Sequence, residues 1–199
     1  MRWDRLFDDL EVQLVSEWEA ERAALDTEAE RLRLSQLSLR DRLSRLATAG
    51  AATAVFELSD GTVLRARVGG IGGDCVALAP EEGRSGVILV PLSGVVSVAL
   101  PHRELVHTAR PGEAPSLLSA RLTFGYVLRD LVRRRVGVSV RLTVGRSLTG
   151  TIDRAGADHL DLALHDAGAA RRTDAVTGYR VVPFAAISWV RVDGASAVL

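Results

Sequence analysis

One segment of this chain occurs twice, and the repetition is the strongest constraint on its fold. Residues 60–78 read DGTVLRARVGGIGGDCVAL, and residues 144–162, which lie 84 positions later, read VGRSLTGTIDRAGADHLDL with the same rhythm of apolar residues and glycines. Farther along the chain the offset grows to 92, where ILVPLSGVVSV at 88–98 aligns with RVVPFAAISWV at 180–190. An eight-residue insertion therefore lies within residues 166–178, in a predicted hairpin loop.

Each copy is predicted to contain a helix followed by five short strands. From Val55 onwards, apolar residues recur with a period close to two, between turns that are rich in glycine. Asp60-Gly61 is a two-residue hairpin signal, because both central positions of such a turn require positive φ. The helices that precede the two copies share Leu-Arg-Asp, at 39–41 and 128–130. Residues 101–116 carry three prolines and are predicted to be a linker.

The amino-terminal region is predicted to be helical, since residues 2–48 contain neither proline nor glycine. Its first apolar stripe has spacings of three and four, and leucines seven residues apart form a second, coiled-coil-like stripe. The phase changes near residue 26, where Thr27 and Glu30 match a capping box, so one continuous helix and two helices both fit. Large aromatic side chains need burial, so the first stripe packs either on the barrel of its own chain or against another chain, and we favour self-association or partner binding. Its residues are Trp3, Phe7, Leu10, Leu14 and Trp18.

The repeated unit resembles the Sm-like family of small barrels, in which a helix precedes a strongly bent antiparallel sheet and a short turn precedes the last strand. The resemblance covers residues 38–100 and 117–193. Gly150 lies where that family keeps a glycine that lets a long strand bend sharply, whereas Ala66 takes this place in the first copy. The resemblance implies a mainly β protein with helices (α+β), in which a long N-terminal helix is followed by two small five-stranded Sm-like or SH3-like barrels, the second preceded by its own helix. The predicted divisions are 1–50, helical; 51–100, first barrel; 101–116, linker; and 117–194, helix and second barrel.

The resemblance does not extend to the RNA pocket of Sm-like proteins. In that family an asparagine binds the base edge, and a basic residue beside a glycine contacts the nucleic acid chain. The asparagine position falls here on Ala77 and Asp161, and the turns at 91–93 and 183–185 contain no basic residue. We therefore do not assign the pocket to this chain.

Four arginines on and after the second predicted helix form the strongest basic patch, and they are the candidate nucleic-acid-binding residues: Arg129, Arg133, Arg134 and Arg135. Guanidinium groups match phosphate oxygens, and each neutralised phosphate releases counterions. Residues 4–30, however, carry ten acidic residues against two arginines, and these acids can neutralise the patch within one chain or in a dimer. We therefore favour a solvated or internally paired face.

Composition and motifs predict no catalytic residue, metal site or cofactor. The 25 basic and 25 acidic residues cancel, so no global field attracts nucleic acid or an anionic membrane. The single cysteine, Cys75, excludes an internal disulfide, and the four histidines lack the spacing of a metalloprotease motif. The amino terminus lacks the apolar core of a signal peptide, and no apolar run is long enough to span a membrane. We expect a cytoplasmic protein.

The leading hypothesis is a non-enzymatic adaptor or assembly module that binds a protein partner or itself, with no small-molecule substrate. Sheet edges recruit partners by strand addition, and an amphipathic helix fills a groove. The alternative is a regulator that binds RNA or DNA through the arginine patch. The opening RWDRLFDDLE also resembles actinobacterial proteins that are sometimes labelled Fis-type transcription regulators, but the last fifty residues predict strands rather than a helix-turn-helix.

Overall fold

A computed structural model describes residues 2–48, 53–82, 86–110, 117–168, 172 and 174–193. The chain divides into two compact units, residues 1–38 and residues 39–199. The first unit consists of helix α1, Arg2–Ser35, which continues through residue 26. Thr27 lies inside the helix, and its Oγ1 donates a hydrogen bond to the Ala23 carbonyl at 2.7 Å instead of capping a new helix.

The second unit contains, within its described residues, four helices, ten strands and two short 3-10 turns. The helices are α2 (Leu39–Thr48), α3 (His102–Ala109), α4 (Leu117–Arg121) and α5 (Phe124–Arg134). The strands are β1 (Thr53–Leu58), β2 (Val63–Ile71), β3 (Cys75–Pro80), β4 (Gly86–Pro91), β5 (Val95–Ala99), β6 (Gly137–Leu142), β7 (Ser147–Ala155), β8 (His159–Leu164), β9 (Gly178–Pro183) and β10 (Ile187–Asp193). The 3-10 turns, Leu92–Gly94 and Phe184–Ala186, precede β5 and β10.

All ten strands form one antiparallel sheet in the order β5-β1-β2-β3-β4-β10-β6-β7-β8-β9. The expectation of two separate, closed five-stranded barrels is therefore wrong. The physical reason is the pairing of β4: its free backbone groups bond to β10 of the second copy instead of returning to β5 of its own copy. The two copies, which we call the first half (β1–β5) and the second half (β6–β10), thus share one open sheet.

The predicted repeat is visible in the strand register. Phe56 of β1 lies opposite Val98 of β5, and the residues at offsets of 84 and 92, Val140 and Val190, lie opposite each other in the second half. The irregularities recur as well, since the β2–β3 pairing shifts after Val68 and the β7–β8 pairing shifts after the equivalent residue, Ile152. The insertion within 166–178 lies in the β8–β9 connection.

Each half has its own apolar core, built from the inward residues of its strands and from one helix. Helix α2 contributes Leu43 and Leu46 to the first core, and helix α5 contributes Leu128 and Leu131 to the second. A side chain cannot be accommodated at Gly150, because a Cβ at this position would lie 1.9 Å from the carbonyl oxygen of Ala163.

The segment predicted to be a linker contains helix α3. This helix packs on α2 through polar contacts: Arg45 Nη1 donates to the carbonyl of Thr108 at 2.9 Å, and Arg42 donates to the Thr108 hydroxyl at 3.1 Å. Thr108 is fully buried. Residues 111–116, which contain the other two prolines of the segment, lie outside the described residues.

Candidate interaction surfaces at the sheet edges

The pairing of β4 with β10, which we call the seam, joins the two halves through both backbone and side chains. Val190 lies opposite Leu89, and Val192 lies opposite Val87. Leu89 is 3% exposed and belongs to the apolar core of the second half, whereas Trp189 of β10 packs against the core of the first half. Each half therefore completes part of the core of the other.

A buried carboxylate of the first half is held by side chains of the second. Asp60 has no exposed side-chain surface. Its Oδ2 accepts hydrogen bonds from Arg141 Nε at 2.8 Å and from Thr62 Oγ1 at 2.6 Å, and its Oδ1 accepts from Ser188 Oγ at 2.8 Å. Burial raises the pKa of Asp60, but the hydrogen bonds from Thr62, Arg141 and Ser188 outweigh burial and lower that pKa to about 2. Asp60 therefore joins the halves as a carboxylate.

A close backbone approach forms a third contact between the halves. The N–H of Gly73, in the β2–β3 turn, donates to the carbonyl of Leu122 at 3.0 Å, and a Cβ on Gly73 would lie 2.3 Å from the carbonyl oxygen of Ala120. The Asp74 carboxylate accepts from the N–H of Phe124, at the start of α5, at 2.6 Å. The turn thus seats the beginning of α5.

Two edges of the sheet remain open. Among the described residues, no strand pairs with the outer edge of β5 or of β9. By the repeat, β9 is the equivalent of β4, and β5 is the equivalent of β10, so the open edges are second copies of the two edges that meet in the seam. Unpaired N–H and C=O groups at such edges are suited to strand addition.

The open edge of β9 exposes apolar side chains at positions that are covered in the seam. Val181 is the equivalent of Leu89, and it is 69% exposed, in contrast to 3% for Leu89. Tyr179, the equivalent of Val87, is 59% exposed. On the opposite edge, Val96 of β5 is 61% exposed. Exposed apolar residues gathered on a strand edge are typical of an interaction surface.

An apolar groove of about 180 Å³ borders β5. Its walls include Leu39, Leu43 and Leu46 of α2, Val96 and Val98 of β5, and Leu105 of α3. In the second half, the core leucines of α5, Leu128 and Leu131, lie in one cluster with Leu89. Leu43 and Leu46, which have the same spacing in α2 and lie in the core of the first half, line the groove. The groove beside β5 therefore corresponds to the region of the second half that receives Leu89 from its neighbour.

Sequence reasoning did not find these edge residues, although a signal was present. The alignment of residues 88–98 with 180–190 pairs Leu89 with Val181, which are both apolar at the same phase of a strand. An apolar residue on the outward phase of the fourth strand of each copy indicates a neighbour on that side. The period of the apolar residues alone did not show that β4 has a neighbouring strand on that side while β9 lies at the edge of the sheet.

The structure places the four arginines of the basic patch along α5 and at its end. Arg129 Nη1 donates to the carbonyl of Gly156 at 3.1 Å. Arg133 and Arg134 both form ion pairs with Asp130, and Arg135 ends the helix with a φ of 52°. The pairing partner of Arg133 and Arg134 is thus a residue of the same helix. The predicted pairing with the amino-terminal acids stays a prediction.

The candidate self-association stripe lies on α1. Leu14 and Trp18 are exposed, at 63% and 66%. Trp3, Phe7 and Leu10 lie in the helical backbone, and their side chains fall outside the described part of the chain. Arg22 lies over the ring of Trp18, with 5.8 Å from its guanidinium carbon to the ring centroid.

Two further chemistry-bearing residues, Cys75 and His165, are buried. Cys75 is buried, and burial, with a smaller contribution from Asp74, raises the pKa of its thiol to about 12. The ring of His165, itself buried, bonds through Nε2 to Thr151 at 2.9 Å and through Nδ1 to the Asp166 carbonyl at 3.0 Å. Within the ranges that the structure describes, no three His, Cys, Asp or Glu side chains are grouped as metal ligands.

Comparison with known proteins returns no match: no family model, no curated protein and no solved structure is similar to this chain. In the described part of the chain, no helix has both the length and the apolar character that a membrane span requires.

Proposed function

We propose that this chain is a non-enzymatic assembly module that binds protein by strand addition at the open edges of its sheet. One observation carries the proposal. The edge of β9 exposes Val181 and Tyr179 at positions whose equivalents, Leu89 and Val87, lie in the seam. The pairing of β4 with β10 therefore shows, within one chain, the kind of strand pairing that we propose for the open edge of β9.

The resemblance of each half to Sm-like proteins is part of this proposal. Its support is the recurrence, in both halves, of a helix, five antiparallel strands and a 3-10 turn before the last strand. The non-enzymatic reading is supported by the two strongest candidate reactive groups. The Cys75 thiol has a raised pKa, and both ring nitrogens of His165 are hydrogen-bonded.

Co-purification tests the proposed function. We expect a tagged chain, isolated from its native host with nuclease treatment, to retain protein that is lost from the variant Val181→Lys, since a charge on an edge strand opposes strand addition. The matched control is Leu118→Lys, which changes an apolar residue on α4 that is 74% exposed. Mass spectrometry of the two eluates provides the measurement. Equal protein recovery from both variants would contradict the proposal.

The alternative function, nucleic-acid binding through the arginine patch, predicts a different result. Because Asp130 pairs with Arg133 and Arg134, we expect labelled single-stranded RNA and duplex DNA to bind without a steep salt dependence. Each neutralised phosphate would add about −0.9 to the slope of log K against log salt on duplex DNA. A steep slope that disappears when Arg133, Arg134 and Arg135 are all changed to Glu would favour the alternative.

A further inference from the structure

We infer that the exposed apolar face of α1 binds a basic amphipathic helix of a partner protein. The inference goes beyond the proposed function, because α1 belongs to the first compact unit, whereas the sheet and its open edges belong to the second. Every side chain from residue 13 to residue 32 is exposed. A helix that covers none of its apolar residues over this stretch leaves them available to another molecule.

The apolar residues of α1 lie on one straight stripe. From Leu14 to Leu32, successive stripe positions are four, four, three, four and three residues apart, which matches the helical period of about 3.6 residues. The positions are Leu14, Trp18, Arg22, Leu25, Ala29 and Leu32. The four large apolar side chains among them are 59–66% exposed. At about 1.5 Å per residue the stripe is about 27 Å long, so a partner helix of about five turns covers it.

Acidic residues border the stripe on both sides. At about 100° per residue, Glu17, Glu21 and Glu28 lie along one side of it. Glu19 and Asp26 lie along the other side. The stripe is thus an apolar centre between two rows of carboxylates, which we call the acidic rims.

Basic residues of α1 do not neutralise the acidic rims. The helix carries five basic and ten acidic residues, which gives it a formal net charge of −5. Arg22, the basic residue within the stripe, lies over the ring of Trp18. Glu19, Glu21 and Asp26 have no ion pair among the described residues. A partner with basic residues on both sides of an apolar face supplies the missing cations.

The same charges oppose the pairing of α1 with α1 of a second copy. When two identical helices pair, the residues that border the apolar stripe of one helix lie beside those of the other, as the e and g positions do in a coiled coil. Carboxylates would then meet carboxylates, and like charges in such positions are destabilising. Anionic membranes and nucleic acids are unfavourable partners for the same reason. Of the two roles expected of this stripe, its charges therefore favour partner binding over self-association.

Peptide binding tests the inference. The probe is a labelled helical peptide of about five turns, with leucine along one face and lysine on both sides of the leucines. One control peptide has glutamate in place of lysine, and the other has the composition of the probe in scrambled order. We expect the full chain to bind the probe about tenfold more tightly than either control in fluorescence anisotropy, with an affinity that falls as salt rises. Equal binding of the three peptides, or no binding of the probe, would overturn the inference.

Substitutions on α1 test where the probe binds. Trp18→Ser is expected to weaken binding about tenfold, because it removes the largest side chain of the stripe. Its matched control is Val144→Ser, which changes an apolar residue that is 77% exposed in the β6–β7 turn. Glu21→Lys is expected to shift the preference towards the glutamate peptide, whereas Thr27→Lys, on the opposite face of α1, is the control. If either variant behaves like its control while circular dichroism shows the same helix content, the stripe is not the binding site.

Light scattering distinguishes a partner protein from a second copy. We expect Trp18→Ser to leave the mass of the chain unchanged. A wild-type mass above 21.3 kDa that falls to this value in Trp18→Ser would identify a second copy as the occupant and overturn the inference. Val181→Lys, at the edge of β9, is expected to leave peptide binding unchanged. A failure of strand addition and a failure of this inference are therefore separate results.

Discussion

Replacing Asp60 with asparagine is expected to lower the free energy of unfolding by about 2 kcal/mol at neutral pH. The pKa of Asp60 falls from 3.8 to about 2 in the folded chain, and one unit corresponds to about 1.4 kcal/mol. The carboxylate has no exposed surface and the Arg141 side chain is 31% exposed, so solvent screens their contact only in part. The loss should be measured by urea unfolding monitored by circular dichroism.

The pH dependence of this effect has a definite sign. Because the folded pKa is lower than the unfolded pKa, the carboxylate stabilises the fold fully above about pH 5, and the contribution disappears as the pH falls through 3.8 towards 2. The wild-type chain and Asp60→Asn should therefore converge in stability at acid pH. Asp166→Asn is the matched control, since that side chain is exposed and its replacement should leave the unfolding midpoint unchanged. A constant difference between wild type and Asp60→Asn from pH 7 to pH 2 would contradict the role of the charge.

Replacing Leu89 with alanine is expected to cost about 2–5 kcal/mol, the range for removing a buried leucine side chain. Leu89 belongs to a strand of the first half and to the core of the second, so the cavity would open where the halves meet. The equivalent change, Val181→Ala, should alter the free energy of unfolding by less than about 0.5 kcal/mol, since Val181 is exposed in the single chain.

Both variants should be compared by equilibrium unfolding at a concentration at which the chain is monomeric. The contrast between the two repeat positions is itself the test, because the residues differ by one methylene group and occupy equivalent places in the two halves. Similar costs for Leu89→Ala and Val181→Ala would show that the seam does not bury Leu89 as described.

Much of the architecture could be predicted from the repeat. The offsets of 84 and 92 gave the equivalences that the register reproduces, including the insertion between β8 and β9. Those equivalences depend on the alternation of apolar residues and on the residues in turns, and both are features of short stretches of sequence. The spacing of apolar residues, which is also a feature of short stretches, predicted a helix before each half.

The pairing between halves could not be predicted in this way. A strand that closes on its own half and a strand that pairs with the other half have the same alternation, so residues 86–91 fit both arrangements. What separates them is long-range: the position of Leu89 in the neighbouring core and the hydrogen bonds that Arg141 and Ser188 donate to Asp60. The hairpin signal at Asp60-Gly61 predicted positive φ at both residues, but within this pair only Gly61 has one, at 81°. The signal did not predict the partners of the aspartate, which lies opposite a valine in the alignment.

The seam also sets an order of events during synthesis. β4 ends at Pro91, and its partner β10 begins only at Ile187. At ordinary elongation rates, the synthesis of the residues between them takes roughly 5–20 seconds, and β4 has no partner strand during that time. During that interval, the outer edge of β4 is unpaired and the side chain of Leu89 is uncovered. On a polysome, β10 of a neighbouring chain can pair with β4 before β10 of the same chain is available. The product of that pairing is a domain-swapped dimer.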